Sequence, residues 1–272
     1  MTIDTHAHLG LDEVFDEDFT EAELLESQRN SGIALTIVQP ALVHDLPTVQ
    51  RYHDAIADLA ERYPGRFAGM ADPNPHLPGA AYDREVRRCI NDLEFVGVKL
   101  HPLAHAVNPI GRHGRRVFEL AADLGVPVMV HTGLGLPWSA PALLDPVAAA
   151  QPELTIVAAH AGGGMCAAEA LQLAQRNANV YLECSWTAGF FVRHCVEVLG
   201  AERLMFGSDH ADNAATELAK FRSAGLTDTQ LDWVLSRSAN AVFALRTVLN
   251  RKPHCPGRSG GDDANDVRID QP

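Results

Sequence analysis

The sequence has few cysteines and no pattern that would pair them. Five cysteines occur among 272 residues, an odd number, and no C-x-x-C motif is present. Secreted proteins that depend on disulfides usually carry a dense, even set of cysteines. A reducing compartment is therefore indicated, and we expect the protein to be cytoplasmic.

Long apolar runs and an excess of positive charge are also missing. Without a run of about 18 apolar residues, no membrane-spanning helix is expected, and the N-terminus lacks the basic and apolar segments of a secretory signal. Lys and Arg number 22 against 35 Asp and Glu, a formal net charge of −13. This sign disfavours nucleic acid and membranes as partners. We expect a small-molecule substrate as partner, and the sequence leaves a homodimer open.

Apolar residues are abundant, at 46%, and two periodicities alternate along the chain. In residues 56–63 and 117–124 apolar side chains fall at i, i+3, i+4 and i+7, which predicts helices with one buried face. Between such segments lie short apolar, β-branched runs that predict strands. The predicted strands are 2–6, 34–39, 67–71, 97–100, 128–131, 155–159, 180–183 and 204–206.

This alternation predicts an α/β fold, a (β/α)8 TIM barrel that forms a single domain over residues 1–249. The competing fold, a doubly wound open sheet, would need a glycine-rich phosphate turn after its first strand, and THAHLGLDEVF is not one. Residues 250–272 are rich in Gly, Pro, Asp and Arg and poor in apolar residues. We expect them to form a flexible tail.

Two histidines, His6 and His8, follow a short apolar lead at the start of the chain. On a strand, residues i and i+2 point to the same face. Two imidazoles on one face can occupy two corners of a metal coordination shell. A bare H-x-H also occurs on ordinary surfaces, so this interpretation requires partners elsewhere in the chain.

Polar residues also follow the later predicted strands. Barrel enzymes build their sites at the C-terminal ends of the strands, so residues at these ends should converge. Taken with the residues that end each strand, they are Lys99 and His101 at the end of the fourth strand, His131 at the end of the fifth, His160 at the end of the sixth, Glu183 and Ser185 at the end of the seventh, and Asp209 and His210 at the end of the eighth. One histidine in such a place is usually structural, whereas the histidines and the aspartate at matching ends of five strands together predict a ring of ligands.

The residue types in this ring suit a divalent metal. Zn²⁺ binds histidine nitrogen and carboxylate oxygen, with about three or four protein ligands and one position left for water. His6, His8, His131 and Asp209 can supply that set, and His160 can act beside it as base or acid. We expect one divalent ion, Zn²⁺ by preference, with Mn²⁺ or another ion as the alternative.

Six stretches resemble the amidohydrolase superfamily, and within it the amidohydrolase-2 group of aminocarboxymuconate-semialdehyde-decarboxylase-like proteins. They are DTHAHLG, PGRFAGMADPNP, VGVKLHP, GVPVMVHTG, AAHAGGG and MFGSDH, and they span residues 4–210 in the family's order. The resemblance implies a single metal held by His6, His8, His131 and Asp209, with His160 as the catalytic acid or base. It also favours an unmodified Lys99, and carbamylation of this lysine, as in other branches of the superfamily, stays open as the alternative.

The reaction expected from these residues is metal-dependent hydrolysis. A metal-activated water would attack an amide, lactone or related C–N or C–O bond of a small molecule, with His160 shuttling the proton. Asp209 is expected to act twice, as a ligand and as a catalytic group that helps to move a proton to the leaving group.

Three alternatives stay open. The first is a metal-dependent decarboxylase of a small unsaturated or aromatic carboxylic acid, for which Arg51, Arg112 and Arg193 are candidate carboxylate-binding residues. The others are metal-free lactone hydrolysis and a non-catalytic binding barrel.

Substrate contacts are predicted at Lys99, His101, Trp138 and Ser185, which follow the strand ends. The segment LGLDEVFDEDFTEAELL, residues 9–25, is expected to run almost directly into the first helix. It contains acids but no Arg or Lys, and an acidic rim repels carboxylates over about 8–10 Å. This composition weighs against the decarboxylase.

Overall fold

The computed structural model describes residues 1–250, in which strands and helices alternate around one curled sheet. The nine strands of the sheet are β1 (Ile3–Asp12), β2 (Glu17–Phe19), β3 (Leu35–Pro40), β4 (Phe67–Ala71), β5 (Gly97–Leu100), β6 (Val128–His131), β7 (Ile156–Ala159), β8 (Val180–Glu183) and β9 (Leu204–Met205).

Helices fill the connections between the parallel strands and continue after the last of them. The α-helices are α1 (Glu21–Ser31), α2 (Leu46–Arg62), α3 (Gly79–Asn91), α4 (Arg112–Leu124), α5 (Asp145–Ala150), α6 (Ala167–Arg176), α7 (Gly189–Leu199), α8 (Ala214–Ser223), α9 (Asp228–Asp232), α10 (Ser238–Val242) and α11 (Arg246–Leu249). Gly125 ends α4 in the left-handed conformation, with φ of 67°. A residue without a Cβ adopts that conformation at little cost.

The predicted barrel is confirmed in its strand number and order. Eight strands pair in parallel in the sequence order β1, β3, β4, β5, β6, β7, β8, β9. The first and last strands also meet, because Thr5 N–H donates to the Phe206 carbonyl at 3.1 Å and Asp209 N–H to the His6 carbonyl at 2.7 Å. These bonds bring the C-terminal end of the sequence's last strand beside the two leading histidines.

The first strand differs from the prediction. Instead of leading into the first helix, β1 runs on to Asp12 and forms a hairpin with β2, in which Gly10 pairs with Phe19. The Asp12 carboxylate fixes the turn, because it accepts from the backbone N–H groups of Val14 and Phe15, both at 2.8 Å. The expected loop was therefore wrong, and the acidic segment stands as a hairpin at the sheet's C-terminal edge.

Two apolar layers surround the sheet. The outer layer packs strand residues against the helices and includes Val98, Leu100, Val128, Val130 and Phe118. The inner layer fills the inside of the curl and includes Ile3, Ile37, Met70, Met129 and Val157, with Phe243 and Leu245 at its lower end. Full burial of each such side chain contributes roughly 1.5–3 kcal/mol, and the inner layer forms an apolar floor below the strand ends.

Several expectations concern compartment and tail. No helix within residues 1–250 is long and apolar enough to cross a membrane. The four cysteines in that range are all free thiols. The flexible tail predicted for residues 250–272, apart from Asn250, lies outside the described residues.

Candidate active site

Strand alternation carries three site residues into the interior of the curl. On β5, Val98 and Leu100 belong to the outer apolar layer, so Lys99 between them points inward. The same alternation on β6 turns Met129 and His131 inward. Glu183 ends β8 on the interior face, in register with Met205 of β9. The upper layer of the interior is therefore polar, directly above the apolar floor.

A pocket of about 380 Å³ opens above this layer at the C-terminal ends of the strands. One side is polar, and the opposite side is made by the β1–β2 hairpin and apolar residues of the neighbouring loops. Its lining consists of His8, Asp12, Phe15, Glu17, Phe19, Leu42, Lys99, His101, Leu103, His131, Leu134, His160, Asp209 and His210.

Three hydrogen-bond acceptors converge at one end of this pocket. Oδ1 of Asp209 lies 3.0 Å from Nε2 of His6 and 3.4 Å from Nε2 of His8. Nδ1 of His6 faces the Glu183 carboxylate at 3.0 Å, and Nδ1 of His8 faces the Pro40 carbonyl at 3.3 Å. Carboxylate and carbonyl oxygens only accept, so each Nδ1 carries the proton and each Nε2 offers a lone pair.

This donor set fits a metal ion. Two imidazole lone pairs and a carboxylate oxygen facing one another repel unless a cation lies among them, and a histidine that donates its other N–H to a carboxylate or carbonyl is the usual metal ligand. His6, His8 and Asp209 form a group whose ligand atoms lie within 4.8 Å of one another. A second group, His6, His160 and Glu183, shares His6 with the first.

The second carboxylate oxygen of Asp209, Oδ2, accepts a hydrogen bond from the protein. The indole N–H of Trp186 donates to Oδ2 at 2.8 Å. Both residues adopt the left-handed conformation, with φ of 64° for Asp209 and 58° for Trp186. Non-glycine residues in that conformation carry strain that concentrates at functional sites.

His160 lies beside the ligand group and is anchored by a second hydrogen bond system. Its Nδ1 is 2.7 Å from Oγ of Ser185, and its backbone N–H donates to Oε2 of Glu183 at 3.1 Å. Its ring stacks on that of His6 with centroids 5.0 Å apart. Nε2 of His160 has no hydrogen-bond partner within residues 1–250 and is the ring nitrogen available to the pocket.

His131, the fourth predicted ligand, lines the pocket but stands apart from the group within 4.8 Å. Its Nε2 hydrogen-bonds the Leu134 carbonyl at 2.9 Å. Its ring stacks on His101, with centroids 3.9 Å apart, and meets His160 edge-on at 4.8 Å. The structure thus brings together three of the four predicted ligands and leaves His131 bonded to its own loop.

Lys99 occupies the innermost position. Its side chain is 1% exposed and its ammonium lies 2.7 Å from Nε2 of His6. Burial lowers the pKa of Lys99 to about 8, against the opposing effect of Asp209, Asp72 and Glu183. This ammonium is the cation that the acceptor group faces in the structure.

Burial also keeps the imidazoles neutral. It lowers the pKa of His131 to about 4 and moves the pKa values of His6, His101 and His160 well below the ordinary 6.5. Only a neutral imidazole can ligate a metal or accept a proton. The site is therefore set for both roles at neutral pH.

Two residues that shape the site, Glu183 and Asp4, were not assigned a role from the sequence. Glu183 is fully buried and bonds His6, His160 and Ser185. Asp4 is likewise buried, which raises its pKa to about 7 against the hydrogen bonds from Ser208 and His6. Its carboxylate accepts from Ser208 Oγ at 2.6 Å. A carboxylate within an apolar strand was the available signal for both.

The predicted substrate contacts fall in different places. Lys99 and His101 line the pocket, while Ser185 is fully buried behind His160. Trp138 lies outside the lining, in the loop after β6, and is 37% exposed. Of this set, Lys99 and His101 therefore line the pocket, and Trp138 and Ser185 do not.

The candidate arginines lie elsewhere. Arg51 bonds Thr48 on α2, Arg112 lies beside His113 at the start of α4, and Arg193 pairs with Glu197 on α7. No arginine of residues 1–250 lines the pocket.

A protein-family model described as Amidohydrolase matches residues 3–258 of this chain. Among curated proteins, 2-keto-4-carboxy-3-hexenedioate hydratase of Sphingobium sp. is 28% identical over 133 residues. That match covers 41% of this chain and 38% of the hydratase, so it spans about two fifths of the hydratase's length.

Solved structures share the fold over nearly the whole chain. The 5-carboxyvanillate decarboxylase of Sphingomonas paucimobilis has a TM-score of 0.73 and 16% identity, covering 89% of this chain and 98% of its own. A dihydroxybenzoic acid decarboxylase of Polaromonas sp., solved with manganese and 2-nitroresorcinol, has a TM-score of 0.68 and 18% identity, covering 90% and 97%. A probable 2-pyrone-4,6-dicarboxylic acid hydrolase of Acinetobacter baumannii, with citric acid bound, has a TM-score of 0.63 and 13% identity, covering 89% and 99%.

Proposed function

This chain belongs to the amidohydrolase family, and from that premise we propose that it is a metal-dependent decarboxylase of a small unsaturated or aromatic carboxylic acid. The observation that carries the proposal is the pocket itself. Its inner end combines a three-acceptor cation site with the buried ammonium of Lys99, and its wall is aromatic and aliphatic. Such a pocket suits a flat apolar body that carries an anionic group at its inner end.

The relatives support this reaction over hydrolysis. Two of the solved relatives described above are decarboxylases of aromatic acids, and the curated relative is a hydratase of an unsaturated acid. Among the structures described above, the hydrolase expected from the sequence is represented by the probable 2-pyrone-4,6-dicarboxylic acid hydrolase. Decarboxylation, the alternative weighed from the sequence, therefore has the better support.

A divalent ion held by His6, His8, His131 and Asp209 would supply a Lewis acid that stabilises negative charge on substrate oxygens. One of the decarboxylases carries manganese, so Mn²⁺ is a candidate beside Zn²⁺. Removal of Lys99 from Nε2 of His6 would be required for that nitrogen to ligate.

The chain's own residues would handle substrate binding and the proton. Decarboxylation breaks the bond between a carbon and its carboxylate, releases CO₂ and places a proton on the carbon left behind. Because Nδ1 of His160 is engaged by Ser185, the proton would be held or transferred at Nε2. The apolar wall would exclude water and hold the ring in place.

The test is a product analysis with metal-loaded protein and a panel of hydroxybenzoates and unsaturated acids in D₂O. The expected result is CO₂ release, with one deuterium on the carbon that lost the carboxylate. Release of an alcohol or amine, or addition of water without CO₂, would instead support hydrolysis or hydration. A measurement of bound metals on the same sample identifies the ion.

A further inference from the structure

We infer that the substrate carries a single carboxylate on an apolar ring or chain whose far end is uncharged. The inference rests on the proposed function and narrows it, because it follows from how charge is distributed along the pocket. Positive charge is confined to the inner end, the middle is apolar and the rim is acidic.

The inner end holds the only lysine or arginine among the described residues that line the pocket, and its ammonium is a cation. That cation is Lys99, whose ammonium lies 2.7 Å from Nε2 of His6, so it shares its position with the candidate metal site. A carboxylate removed from water is costly unless it is paired with a cation. One carboxylate can be paired here, whereas a second at the other end of the molecule would find no cation.

The middle of the pocket is apolar. Its wall is formed by Phe15 and Phe19 of the hairpin and by loop residues opposite the histidines. The loop residues are Leu42, Leu103 and Leu134. Binding of an apolar body against this wall is favoured in proportion to the apolar area removed from water. A polar group in the same position would have no hydrogen-bond partner.

The rim is negative. Glu17 of β2 lines the mouth, 44% exposed at its side chain, with Oε2 3.7 Å from Nε2 of His210. Asp12, also in the lining, keeps its carboxylate bonded to the N–H groups of Val14, Phe15 and Leu42. A substrate whose far end reached Glu17 would be repelled if that end were anionic.

The test compares two ligands that differ at the far end only. Salicylate carries one carboxylate, and 2-hydroxyterephthalate carries a second one on the opposite side of the same ring. Calorimetric titration of both into the metal-loaded full chain at pH 7.5 should give at least about tenfold tighter binding of salicylate, the effect expected of one unpaired charge in a partly dry pocket. Equal or tighter binding of hydroxyterephthalate, or no binding of either ring, would overturn the inference.

A matched pair of variants tests whether the acidic rim causes the difference in affinity between the two ligands. Glu17→Gln should reduce the ratio of the two dissociation constants by about threefold to tenfold, the effect of one screened charge at short range. Glu13→Gln removes an exposed acid from the same hairpin turn, outside the pocket lining, and should leave the ratio within about twofold. If both variants changed the ratio equally, Glu17 would not be the residue that selects against a second carboxylate.

Binding and turnover separate this inference from the function on which it rests. The calorimetric ratio needs no reaction, so a preference for salicylate without CO₂ release from any acid would sustain the inference and count against decarboxylation. CO₂ release from dicarboxylates at the same kcat/KM as from monocarboxylates would support decarboxylation and contradict the inference of a single carboxylate.

Discussion

The indole N–H of Trp186 donates to Oδ2 of Asp209 at 2.8 Å, while Oδ1 of the same carboxylate faces His6 and His8 at 3.0 and 3.4 Å. One oxygen is thus held by the protein and the other is left for a cation. Trp186 follows β8 and Asp209 follows β9, and both have left-handed backbones. The backbone conformation and the indole hydrogen bond together fix the orientation of the Asp209 carboxylate.

Trp186→Phe removes this hydrogen bond and keeps most of the ring. Loss of a group that orients a ligand typically costs 10–100-fold in metal affinity, so we expect the dissociation constant of Mn²⁺ or Zn²⁺ to rise by about tenfold or more. Metal binding should also change the tryptophan fluorescence of the wild-type protein, and this change should vanish in Trp186→Phe. Trp233→Phe, which alters a ring stacked on Arg237, is the control and should retain both properties.

His160→Ala should slow turnover by about 10²–10⁴-fold while the metal content stays at the wild-type level, because His160 lies beside the acceptor group. Ser185→Ala should have a smaller effect in the same direction, since it removes the partner of Nδ1 at 2.7 Å and a hydrogen bond to Glu183 but leaves the imidazole in place. Steady-state rates and metal analysis of the same preparations check both variants. Loss of metal from His160→Ala would show that His160 is a ligand.

The strand pattern could be predicted because parallel strands covered on both faces are apolar runs, and all eight parallel strands lie within two residues of the predicted start. The hairpin could not be predicted. Its second strand, Glu17–Phe19, contains two acids of low strand propensity, and it exists because Asp12 bonds the turn and β1 offers an unpaired edge. The pairing of β1 with β2 therefore cannot be predicted from the residue types of the segment.

The site follows the same division. Residues at strand ends could be predicted as a group because the fold brings those ends together. Their individual roles depend on contacts across long stretches of chain, such as Lys99 with His6 and Glu183 with His6. His131 is an example: the sequence predicts it as a metal ligand, whereas in the structure its Nε2 is hydrogen-bonded to the Leu134 carbonyl.

His131→Ala tests whether that fourth ligand belongs to the set. If His131 ligates, its loss should weaken metal retention by at least about tenfold, as His8→Ala should, and metal should no longer raise the melting temperature to the wild-type extent. The time course of metal release to a chelator measures this. His194→Ala changes an exposed histidine on α7 and serves as control; retention by His131→Ala equal to this control would remove His131 from the ligand set.

A buried acid between α2 and α3, away from the pocket, should govern stability in acid. Oε1 of Glu85 lies 2.7 Å from Nδ1 of His53, and Arg88 and Gln50 also donate to the carboxylate. Burial alone would raise the pKa of Glu85, but the hydrogen bonds from His53, Arg88 and Gln50 outweigh it and hold the pKa well below the ordinary 4.5. Burial also lowers the pKa of His53, which stays neutral in the folded protein.

Glu85→Gln should therefore lower the free energy of unfolding by about 2–4 kcal/mol at pH 7, because the donors around it lose an ionised acceptor inside the protein. A carboxyl whose pKa is lower in the folded state stabilises the fold above its unfolded pKa and loses that contribution as pH falls toward the folded value. The difference between wild type and variant should thus be constant from pH 5 to 7 and shrink below about pH 4.5. Urea unfolding at each pH measures this difference in stability.

Asp123→Asn is the control, because it breaks the exposed pair with Arg87 and should cost only about 0–1 kcal/mol. An equal cost for both variants would mean that the buried carboxylate is no more important for stability than a surface one.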